Sequence, residues 1–290
     1  MDQEKNKVIK QTLYLVATPI GNLSDISERA VKVLSEVDFI AAEDTRNSLK
    51  LLSALSIKNE LISYHEHNKK ASGERIIARL LGGESCAIIT DAGMPAISDP
   101  GEDIVRMCAD AGICVTVVPG ACAAVSALSL SALSTSRFAF EGFLSPVKNE
   151  RLKRLRAVAN DDRTLIFYEA PHKLKATLLD MAEVFGKERK ISLCREITKL
   201  NEEITRTTLE KAILLYNEKE PRGEYVLVIE GASEKAVSDE TAELCELPVK
   251  DHVAKYISEG LSKMDAIKKA AKDRGVPKSV LYKELVDVEF

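Results

Sequence analysis

The 290-residue chain has no long apolar run and no cluster of metal-binding side chains. No stretch approaches the roughly 20 apolar residues that a transmembrane helix needs, so we expect no contact with a membrane. The six cysteines include no C-x-x-C pair and there are only four histidines, which argues against a zinc site. Most of the cysteines lie within apolar runs, as is typical of buried, reduced thiols in a cytoplasmic protein.

Two common nucleotide-binding signatures and an overall basic charge are missing as well. No G-x-G-x-x-G follows a predicted strand and no G-x-x-x-x-G-K-[ST] occurs, which argues against a dinucleotide-binding Rossmann site and a P-loop. The net charge is −4, so the chain as a whole does not attract nucleic acid. Any binding of nucleic acid would need a local basic cluster.

Short apolar strands alternate with amphipathic helical patterns over the first 120 residues. Segments such as ISERAVKVLSEV and ERIIARLL have the 3.6-residue spacing of helices that bury one face. Strand–helix alternation predicts an α/β domain with a mostly parallel sheet. The predicted strands cover residues 13–20, 39–43, 60–64, 86–90 and 115–118.

Helix boundaries in this part of the chain are marked by capping residues. Asp25 and Glu28 have the spacing of a capping box. The segment 99–102, Asp-Pro-Gly-Glu, predicts a helix that begins with a cap and a first-turn proline, and Gly112 then ends that helix.

A second α/β block and a helical end follow. Strands are predicted at 138–143, 164–168, 191–195 and 225–229, with helices between them. Near the end, Ser262 and Asp265 have capping-box spacing and Gly275 stops the helix, which gives the outline of a helix-turn-helix. The predicted organisation is a loose tail (1–11), a first α/β domain (12–120), a second (121–231), a linker (232–246) and a helical domain (247–290).

The loops that follow the predicted strands hold the candidate functional residues. In open α/β sheets, ligands bind beyond the carboxyl ends of the strands. The segments 17–23, 90–101 and 119–124 are rich in Gly, Pro, Asp and small residues. Glycine lets the backbone approach a ligand closely, and small residues at a helix start leave its N–H groups open. Any one of these loops could be an ordinary tight turn, but three at one sheet edge predict a pocket.

Eight motifs carry a resemblance to a known family. ATPIGNLSDIS, EDTR, SYHEHN, TDAGMPAISDPG, VPGACAAVSAL, FYEAPHKL, CREITK and GEYVLVIEG occur in the order found in the tetrapyrrole-methylase-like (class III) methyltransferases. The resemblance covers about residues 12–231 and is strongest to the members that methylate the 2′-oxygen of a cytidine in 16S ribosomal RNA. It implies two α/β domains with a cleft between them, a small helical C-terminal domain, S-adenosylmethionine as cofactor and a cytoplasmic homodimer.

The resemblance also implies a set of cofactor-binding positions. They are Pro19, Asp91, Ala92, Gly93, Ile97, Ser98, Cys122, Ala123, Glu169, Ile197 and Gly223. Two positions depart from the family pattern: Met94 stands where a smaller Thr is usual, and Ala121-Cys122 replaces Pro-Ser or Pro-Cys. A side-chain role for Cys122 is therefore less secure than a contact through its backbone.

The implied chemistry needs alignment of an attacking oxygen more than it needs a metal. Holding two reactants in line can supply roughly 7–11 kcal/mol, and proton removal by a base adds about 10²–10⁴-fold. Candidate bases by position are Glu43, Asp44, His65, Glu169 and His172. We select Glu169; binding of the adenosine, or an ion pair with Arg195, is its alternative role. Arg46 and Arg195 are the other candidate catalytic residues, able to hold phosphate or ribose, or else to form ion pairs.

RNA binding has a physical source in two basic clusters. Residues 148–156 carry a net charge of +4 and residues 263–283 carry +5, although either could be a solvated helix face. The predicted partner is 16S ribosomal RNA or the small ribosomal subunit, with no metal. The predicted RNA-binding residues are Arg46, His65, Lys148, Arg151, Lys153, Arg154, His172, Lys199, Lys269, Lys272 and Lys278.

Three alternatives stay open on the sequence alone. The first is a methylase of a small tetrapyrrole-like molecule within the same superfamily. The second is a non-catalytic nucleic-acid-binding protein that uses the C-terminal helices, which leaves the strand-end loops unexplained. The third is another nucleotide-using α/β enzyme.

Overall fold

The computed structural model describes residues 7–232 and 244–285. Over this range the chain divides into two compact units. The first unit contains residues up to 126 together with Glu196–Glu203, and the second contains Ala127–Arg195 and the residues from Ile204 onward. Most of the predicted linker and part of the predicted N-terminal tail lie outside the described residues.

The first unit is built on a parallel sheet with helices on both faces. Its strands are β1 (Thr12–Val16), β2 (Phe39–Ala42), β3 (Leu61–Ser63), β4 (Cys86–Ile89) and β5 (Cys114–Val118), in the order β3-β2-β4-β1-β5. All the strand pairs run parallel, so their carboxyl ends meet at one edge. The helices are α1 (Glu28–Glu36), α2 (Thr45–Ala54), α3 (Lys69–Leu81), α4 (Gly101–Asp110) and α5 (Ala123–Leu130), of which α5 ends in the second unit. One buried apolar cluster lies on each face of the sheet, which explains why β2 and β4 read as continuous apolar runs.

Two helix starts differ from the sequence expectation. The capping box at Asp25 is wrong, because Asp25 ends a short 3₁₀ turn and Ser27 caps α1 by accepting a hydrogen bond from the Ala30 N–H. The helix predicted at segment 99–102 begins one residue later than a cap at Asp99 requires, at Gly101. The predicted stop at Gly112 is confirmed, since this glycine has a φ of +68°.

The second unit holds a mixed sheet. Its strands are β6 (Phe138–Phe143), β7 (Thr164–Glu169), β8 (Lys190–Arg195), β9 (Glu203–Thr208) and β10 (Tyr225–Ile229), in the order β6-β7-β10-β8-β9. Strand β6 runs parallel to β7, and β10 runs antiparallel to both β7 and β8. Strand β9 was not predicted from the sequence. Its polar sequence EITRTT forms a half-buried edge strand, which lacks the apolar run on which strand prediction relies.

Helices complete the second unit. One group packs on the sheet: α6 (Lys148–Ala157), α7 (Pro171–Phe185) and α8 (Leu209–Glu218). A second group follows the linker and shares its own apolar core: α9 (Val249–Ser258), α10 (Lys263–Asp273) and α11 (Lys278–Leu285). The predicted cap at Ser262 is confirmed, because its side chain accepts a hydrogen bond from the Asp265 N–H. Across the described residues, no helix has the length and apolar character needed to cross a membrane.

Candidate functional site

The loops after β1 and β4 are joined through their backbones at the carboxyl edge of the first sheet. The Thr18 N–H donates to the Gly93 carbonyl at 2.9 Å, and the Gly93 N–H donates back to the Thr18 carbonyl at 3.1 Å. The buried Thr18 hydroxyl adds a bond to the Thr90 carbonyl at 3.2 Å. The structure therefore holds Gly93 against the residue that precedes Pro19, as the convergence of these loops predicts.

Glycines allow three loops to meet at this edge. Gly93 has a φ of +84°, and a Cβ there would lie 3.1 Å from Ile20 Cγ2 and 3.5 Å from the Ala121 carbonyl oxygen. A Cβ on Gly120 would lie 2.8 Å from Ala17 Cβ. The segments after β1, β4 and β5, which carry Pro19, Asp91–Gly93 and Cys122–Ala123, thus approach one another with no room for a side chain.

The loop that carries Ile97 and Ser98 is strained and held by one carboxylate. Ala96 and Ser98 both have left-handed φ values, of +66° and +62°, which cost energy in residues other than glycine. Asp99 Oδ1 accepts hydrogen bonds from the Ala96 N–H at 2.9 Å and from the Gly101 N–H at 2.6 Å. Its other oxygen is buried and has no hydrogen-bond partner among the described residues. Asp99, which the sequence analysis treated only as a helix cap, keeps Ile97 and Ser98 on the exposed side of the loop.

The start of α2, which follows β2, contacts Asp91. Asn47, in the first turn of α2, donates from Nδ2 to Asp91 Oδ2 at 3.1 Å, a contact that no local sequence pattern indicates. Arg46, which is 87 % exposed at its side chain, bonds back to Asp44 at 3.0 Å. The hydrogen bonds from Arg46 lower the pKa of Asp44. Arg46 is therefore on the surface of this edge but already paired, and Asp44 is occupied as the cap of α2.

The loop after β3 is tied to the start of α4. The buried Tyr64 hydroxyl donates to the Pro100 carbonyl at 3.1 Å, and burial raises the pKa of Tyr64 to about 12. Lys69 bridges Glu66 at 2.7 Å and Asp103 at 2.8 Å. The Nδ1 atom of His65 is buried and has no hydrogen-bond partner within the described part of the chain. The predicted base His65 thus lies on a well-anchored loop, with one ring nitrogen buried and unpaired within the described residues.

The segment Glu196–Glu203 belongs to the first unit although it connects two strands of the second sheet. A Cβ on Gly21 would overlap the Lys199 side chain and lie 3.0 Å from Thr198 Oγ1, so Gly21 is the point of closest packing. Lys199 Nζ pairs with Glu196 Oε1 at 2.9 Å. Ile197 is buried, and this packing brings it into the same unit as Pro19 and Gly93.

The predicted residues of the second unit lie at one edge of its sheet. Tyr225 is in register with Glu169 on one side and with Arg195 on the other, so the three form a row across β7, β10 and β8. Gly223, with a φ of +76°, leads into β10 at this same edge. Arg195 Nε donates to the Arg222 carbonyl at 2.6 Å. One strand, β10, therefore lies between Glu169 and Arg195, so their backbones are about 10 Å apart.

Glu169 is buried and both of its oxygens are engaged. Oε1 accepts from the Ala170 N–H at 2.9 Å, and Oε2 accepts from the Thr177 hydroxyl at 2.5 Å. Thr177 is also buried, two turns into α7, and the sequence analysis did not single it out. These bonds favour a positioning role for Glu169 over that of a base. His172, by contrast, is an exposed residue in the first turn of α7.

The basic clusters separate into structural and exposed residues. Arg151 is buried, with Nε 2.7 Å from Asp180 Oδ2, so its guanidinium stabilises the second unit and is not presented to a phosphate. Arg154 pairs with the buried carboxylate of Glu141. The five predicted RNA-binding lysines of these clusters are exposed: Lys148 and Lys153 on α6, Lys269 and Lys272 on α10, and Lys278 on α11.

The predicted cofactor-binding residues do not coincide with the cavity found in the second unit, and no metal-binding group was found among the described residues. Among residues 7–232 and 244–285, no three His, Cys, Asp or Glu side chains group closely enough to hold a metal ion. A cavity of about 500 Å³ in the second unit is lined by residues that include Arg156, Arg189 and Lys255. It contains none of the predicted cofactor-binding residues.

Comparison with known proteins decides the family. The family model described as Tetrapyrrole (Corrin/Porphyrin) Methylases matches residues 12–213. The chain belongs to this family. It is 49 % identical to ribosomal RNA small subunit methyltransferase I of Halalkalibacterium halodurans, over 94 % of each chain. The protein of the same name from Bacillus subtilis is 48 % identical, with 93 % of this chain and 92 % of the relative covered.

Solved structures of the family share the fold. Uroporphyrin-III-C-methyltransferase from Thermus thermophilus has a TM-score of 0.54 at 24 % identity, covering 76 % of this chain and 94 % of that chain. A diphthine synthase has a TM-score of 0.58 at 13 % identity, covering 76 % and 89 %. The predicted family, its α/β fold, methyltransferase activity and S-adenosylmethionine as cofactor are confirmed.

Proposed function

We propose that this methyltransferase transfers a methyl group from S-adenosylmethionine to the 2′-hydroxyl of a cytidine in 16S ribosomal RNA. The observation that carries the proposal is the near-complete alignment with ribosomal RNA small subunit methyltransferase I at 41–49 % identity. Those alignments cover at least 93 % of the chain, whereas the alignments with tetrapyrrole methyltransferase structures cover 76 %. The longer match favours RNA over a tetrapyrrole as the acceptor.

The first unit fits the cofactor by its backbone. Gly93 and Gly120 let the loops after β1, β4 and β5 pack closely against one another, and Asp99 holds the strained loop of Ala96–Ser98 with Ile97 and Ser98 exposed. The residues proposed to hold the cofactor there are Pro19, Asp91, Ala92, Gly93, Ile97, Ser98, Cys122, Ala123 and Ile197. In the second unit, Glu169 and Gly223 are the proposed residues.

The chain's own part in the reaction is alignment and exclusion of water. When bound, S-adenosylmethionine supplies a methyl group already activated by its sulfonium. The protein must hold the ribose oxygen in line with that methyl, which is worth roughly 7–11 kcal/mol. We propose Glu169, Arg46 and Arg195 for this work, with Glu169 setting the start of α7. His65, which lies on the loop after β3, is the alternative proton acceptor by its position.

RNA contact is proposed for exposed cations at several points of the surface. Lys148 and Lys153 extend from α6, and Lys269, Lys272 and Lys278 from the C-terminal helices. Arg46, His65, Arg154, His172 and Lys199 are proposed to add contacts nearer the chemistry, while Arg151 supports α6 from within. We also propose that the protein is a homodimer and acts in the cytoplasm on 16S ribosomal RNA or the small subunit.

The direct test is methyl transfer in vitro from tritiated S-adenosylmethionine. Purified protein is incubated separately with small subunits that lack 2′-O-methylation, with free 16S ribosomal RNA and with uroporphyrinogen III. We expect label in RNA only, released on hydrolysis as 2′-O-methylcytidine. Label in the tetrapyrrole and none in either RNA would refute the proposal.

A further inference from the structure

Glu43 and Thr90 connect two neighbouring strands at the carboxyl edge of the first sheet. Ala42 of β2 is in register with Ile89 of β4, so the next residue of each strand, Glu43 and Thr90, leaves the sheet at the same edge. The Thr90 hydroxyl donates to Glu43 Oε2 at 2.7 Å. The Thr90 carbonyl in turn accepts from the Thr18 hydroxyl at 3.2 Å. Glu43 is therefore held by a residue that is itself bonded to the loop after β1.

The second oxygen of Glu43 is unpaired and open to solvent. Oε1 makes no hydrogen bond or ion pair within the described part of the chain. The Glu43 side chain is half-buried, and Oε1 is accessible, unlike the buried Nδ1 atom of His65. Each oxygen of a carboxylate can accept two hydrogen bonds, so Oε1 can accept from a donor outside the chain.

The other two candidate carboxylates of the sequence analysis are already engaged. Asp44 accepts from the Arg46 guanidinium and caps α2. Both oxygens of the buried Glu169 accept hydrogen bonds within the second unit. Of these three carboxylates, Glu43 is therefore the one that keeps an accessible oxygen without a partner among the described residues.

The strand order places Glu43 beside the loops proposed for the cofactor. Those loops follow β4, β1 and β5, which are consecutive in the sheet, and β2 is the next strand beyond β4. Thr90, which bonds Glu43, directly precedes the proposed cofactor residue Asp91. An acceptor hydroxyl must lie in line with the methyl group that the cofactor carries. Glu43 therefore borders the place where we expect that hydroxyl.

We propose that Glu43 Oε1 accepts a hydrogen bond from the 2′-hydroxyl of the acceptor ribose and so orients the oxygen that is methylated. A carboxylate can only accept, and it repels the phosphates of RNA, whereas the 2′-hydroxyl is a donor that the RNA brings to the reaction site. The inference rests on the proposed function and adds the residue that recognises the acceptor hydroxyl. Because hydrogen bonds to charged groups are the stronger ones, Glu43 selects ribose over deoxyribose at the target nucleotide.

The test compares small subunits that carry either cytidine or 2′-deoxycytidine at the methylated position. The subunits are reconstituted around ligated 16S ribosomal RNA. Filter binding then measures their affinity for the protein saturated with S-adenosylhomocysteine, which lacks the methyl group. We expect the unaltered protein to prefer the cytidine subunit by roughly tenfold, because a charged hydrogen bond is lost with the hydroxyl. Glu43→Ala should reduce this preference to about twofold or less.

Glu84→Ala is the matched control. It also removes one half-buried carboxylate, but Glu84 lies near the amino end of β4, at the opposite edge of the same sheet. This variant should keep the full preference for the cytidine subunit. Calorimetry should show that Glu43→Ala binds S-adenosylmethionine within about twofold of the unaltered protein.

Thr90 variants provide a second test that leaves Glu43 in place. Thr90→Val removes the hydroxyl that holds Glu43 Oε2, so the carboxylate is no longer fixed in one orientation. We expect a smaller preference for the cytidine subunit and a lower single-turnover methylation rate at saturating subunits. Thr90→Ser keeps the hydroxyl and should restore both.

Each contrary outcome has its own meaning. A full preference for the cytidine subunit in Glu43→Ala would overturn the inference. An equal loss of affinity for both subunits would also overturn it, because Glu43 would then only support the loop. Weaker binding of S-adenosylmethionine by Glu43→Ala would assign Oε1 to the cofactor instead. If the unaltered protein binds S-adenosylmethionine but methylates neither small subunits nor free 16S ribosomal RNA, the proposed function itself fails. Normal methylation by an unaltered protein that binds both subunits equally removes the inference alone.

Discussion

The edge of the first sheet that carries the predicted site residues is built from backbone groups, whereas the corresponding edge of the second sheet is built from side chains. At the first sheet, the loops meet through backbone hydrogen bonds between Thr18 and Gly93 and through glycines that leave no room for a Cβ. At the second sheet, the edge is made by side chains: the buried Glu169–Thr177 pair and the exposed ring of Phe143. The backbone edge has one fixed shape, whereas the side-chain edge can change with each substitution.

We propose that this difference separates the tasks of the two edges. A cofactor that stays the same is well served by backbone groups, because no substitution alters their position unless a glycine is lost. An acceptor that differs from one enzyme to another needs side chains that can be exchanged. We therefore expect glycine and Asp99 variants to change the affinity for the cofactor. Variants of the second edge should change stability or RNA methylation, with cofactor affinity retained.

Gly93→Ala should have the largest effect. Backbone strain at a φ of +84° costs about 1–2 kcal/mol, and the added methyl would press on Ile20 Cγ2 at 3.1 Å. The loop must move, so we expect affinity for S-adenosylmethionine to fall by at least about tenfold in calorimetry. Gly83→Ala is the control, since Gly83 has a φ of +99° with no atom within 4 Å of a built Cβ. It should lose stability but bind the cofactor normally, and equal cofactor affinities in both variants would contradict the backbone account.

Asp99→Ala should have the next largest effect. It removes the acceptor that holds the Ala96 and Gly101 N–H groups, and hydrogen bonds to a charged group contribute about 1.5–3 kcal/mol. We expect cofactor affinity to fall about tenfold, with thermal stability measured in parallel. Asp99→Asn keeps one carbonyl oxygen and should recover most of the loss. If both variants bound the cofactor as tightly as the unaltered protein does, Asp99 would not maintain the loop.

Thr177→Val tests the second edge. It preserves the shape of the side chain but leaves Glu169 Oε2 buried without its hydroxyl donor, at a cost of about 1–3 kcal/mol in the free energy of unfolding. We expect a lower methylation rate at saturating RNA, because the start of α7 is less well fixed, and little change in cofactor affinity. Thr177→Ser restores the hydroxyl and should restore the rate. Full activity in Thr177→Val would leave Glu169 without a positioning role.

The smallest predicted effect concerns pH and the C-terminal helices. Burial lowers the pKa of His252 below its ordinary value of 6.5, while Arg274 donates to its Nδ1 at 3.0 Å and Asp273 lies 3.5 Å from its Nε2. The unfolded chain then binds this proton more readily than the folded one. The resulting stability is complete above about pH 6.5 and is lost as the pH falls through the folded-state pKa.

The measurement for this prediction is thermal unfolding of the full chain between pH 5 and pH 8. His252→Gln should flatten the acid limb of the stability curve by roughly 1 kcal/mol or less. His67, which is exposed, provides the control, since His67→Gln should leave the curve unchanged. A curve that is equally steep without His252 would assign the acid sensitivity to other groups.

Local sequence signals predicted much of the fold. The 3.6-residue and strand patterns located every strand of the first sheet, and Ser262 and Gly275 marked the limits of a C-terminal helix. Boundaries failed where two capping groups compete, as at Asp25 and Ser27. Strand β9 was missed because a half-buried polar strand carries no apolar run.

Long-range contacts of the site could not be predicted from the sequence. The segment Glu196–Glu203 packs in the first unit at Gly21, about 175 residues away along the chain, and no local pattern indicates this. Thr177 was missed because its hydroxyl donates to Glu169 at the end of β7, a contact between two elements that no local pattern shows. Burial of Arg151 did leave a signal, since it shares a helical face with Leu155 and Val158, but the basic composition of the segment concealed it.

The central claim is that this protein places one methyl group on the ribose of 16S ribosomal RNA, and cells provide the most direct test. Ribose methylation is mapped at nucleotide resolution on small-subunit RNA from cells with the gene, without it, and with Gly93→Ala restored in its place. We predict that one 2′-O-methylcytidine is present with the gene, absent without it, and depleted with the variant. An identical methylation map in all three strains would contradict the account.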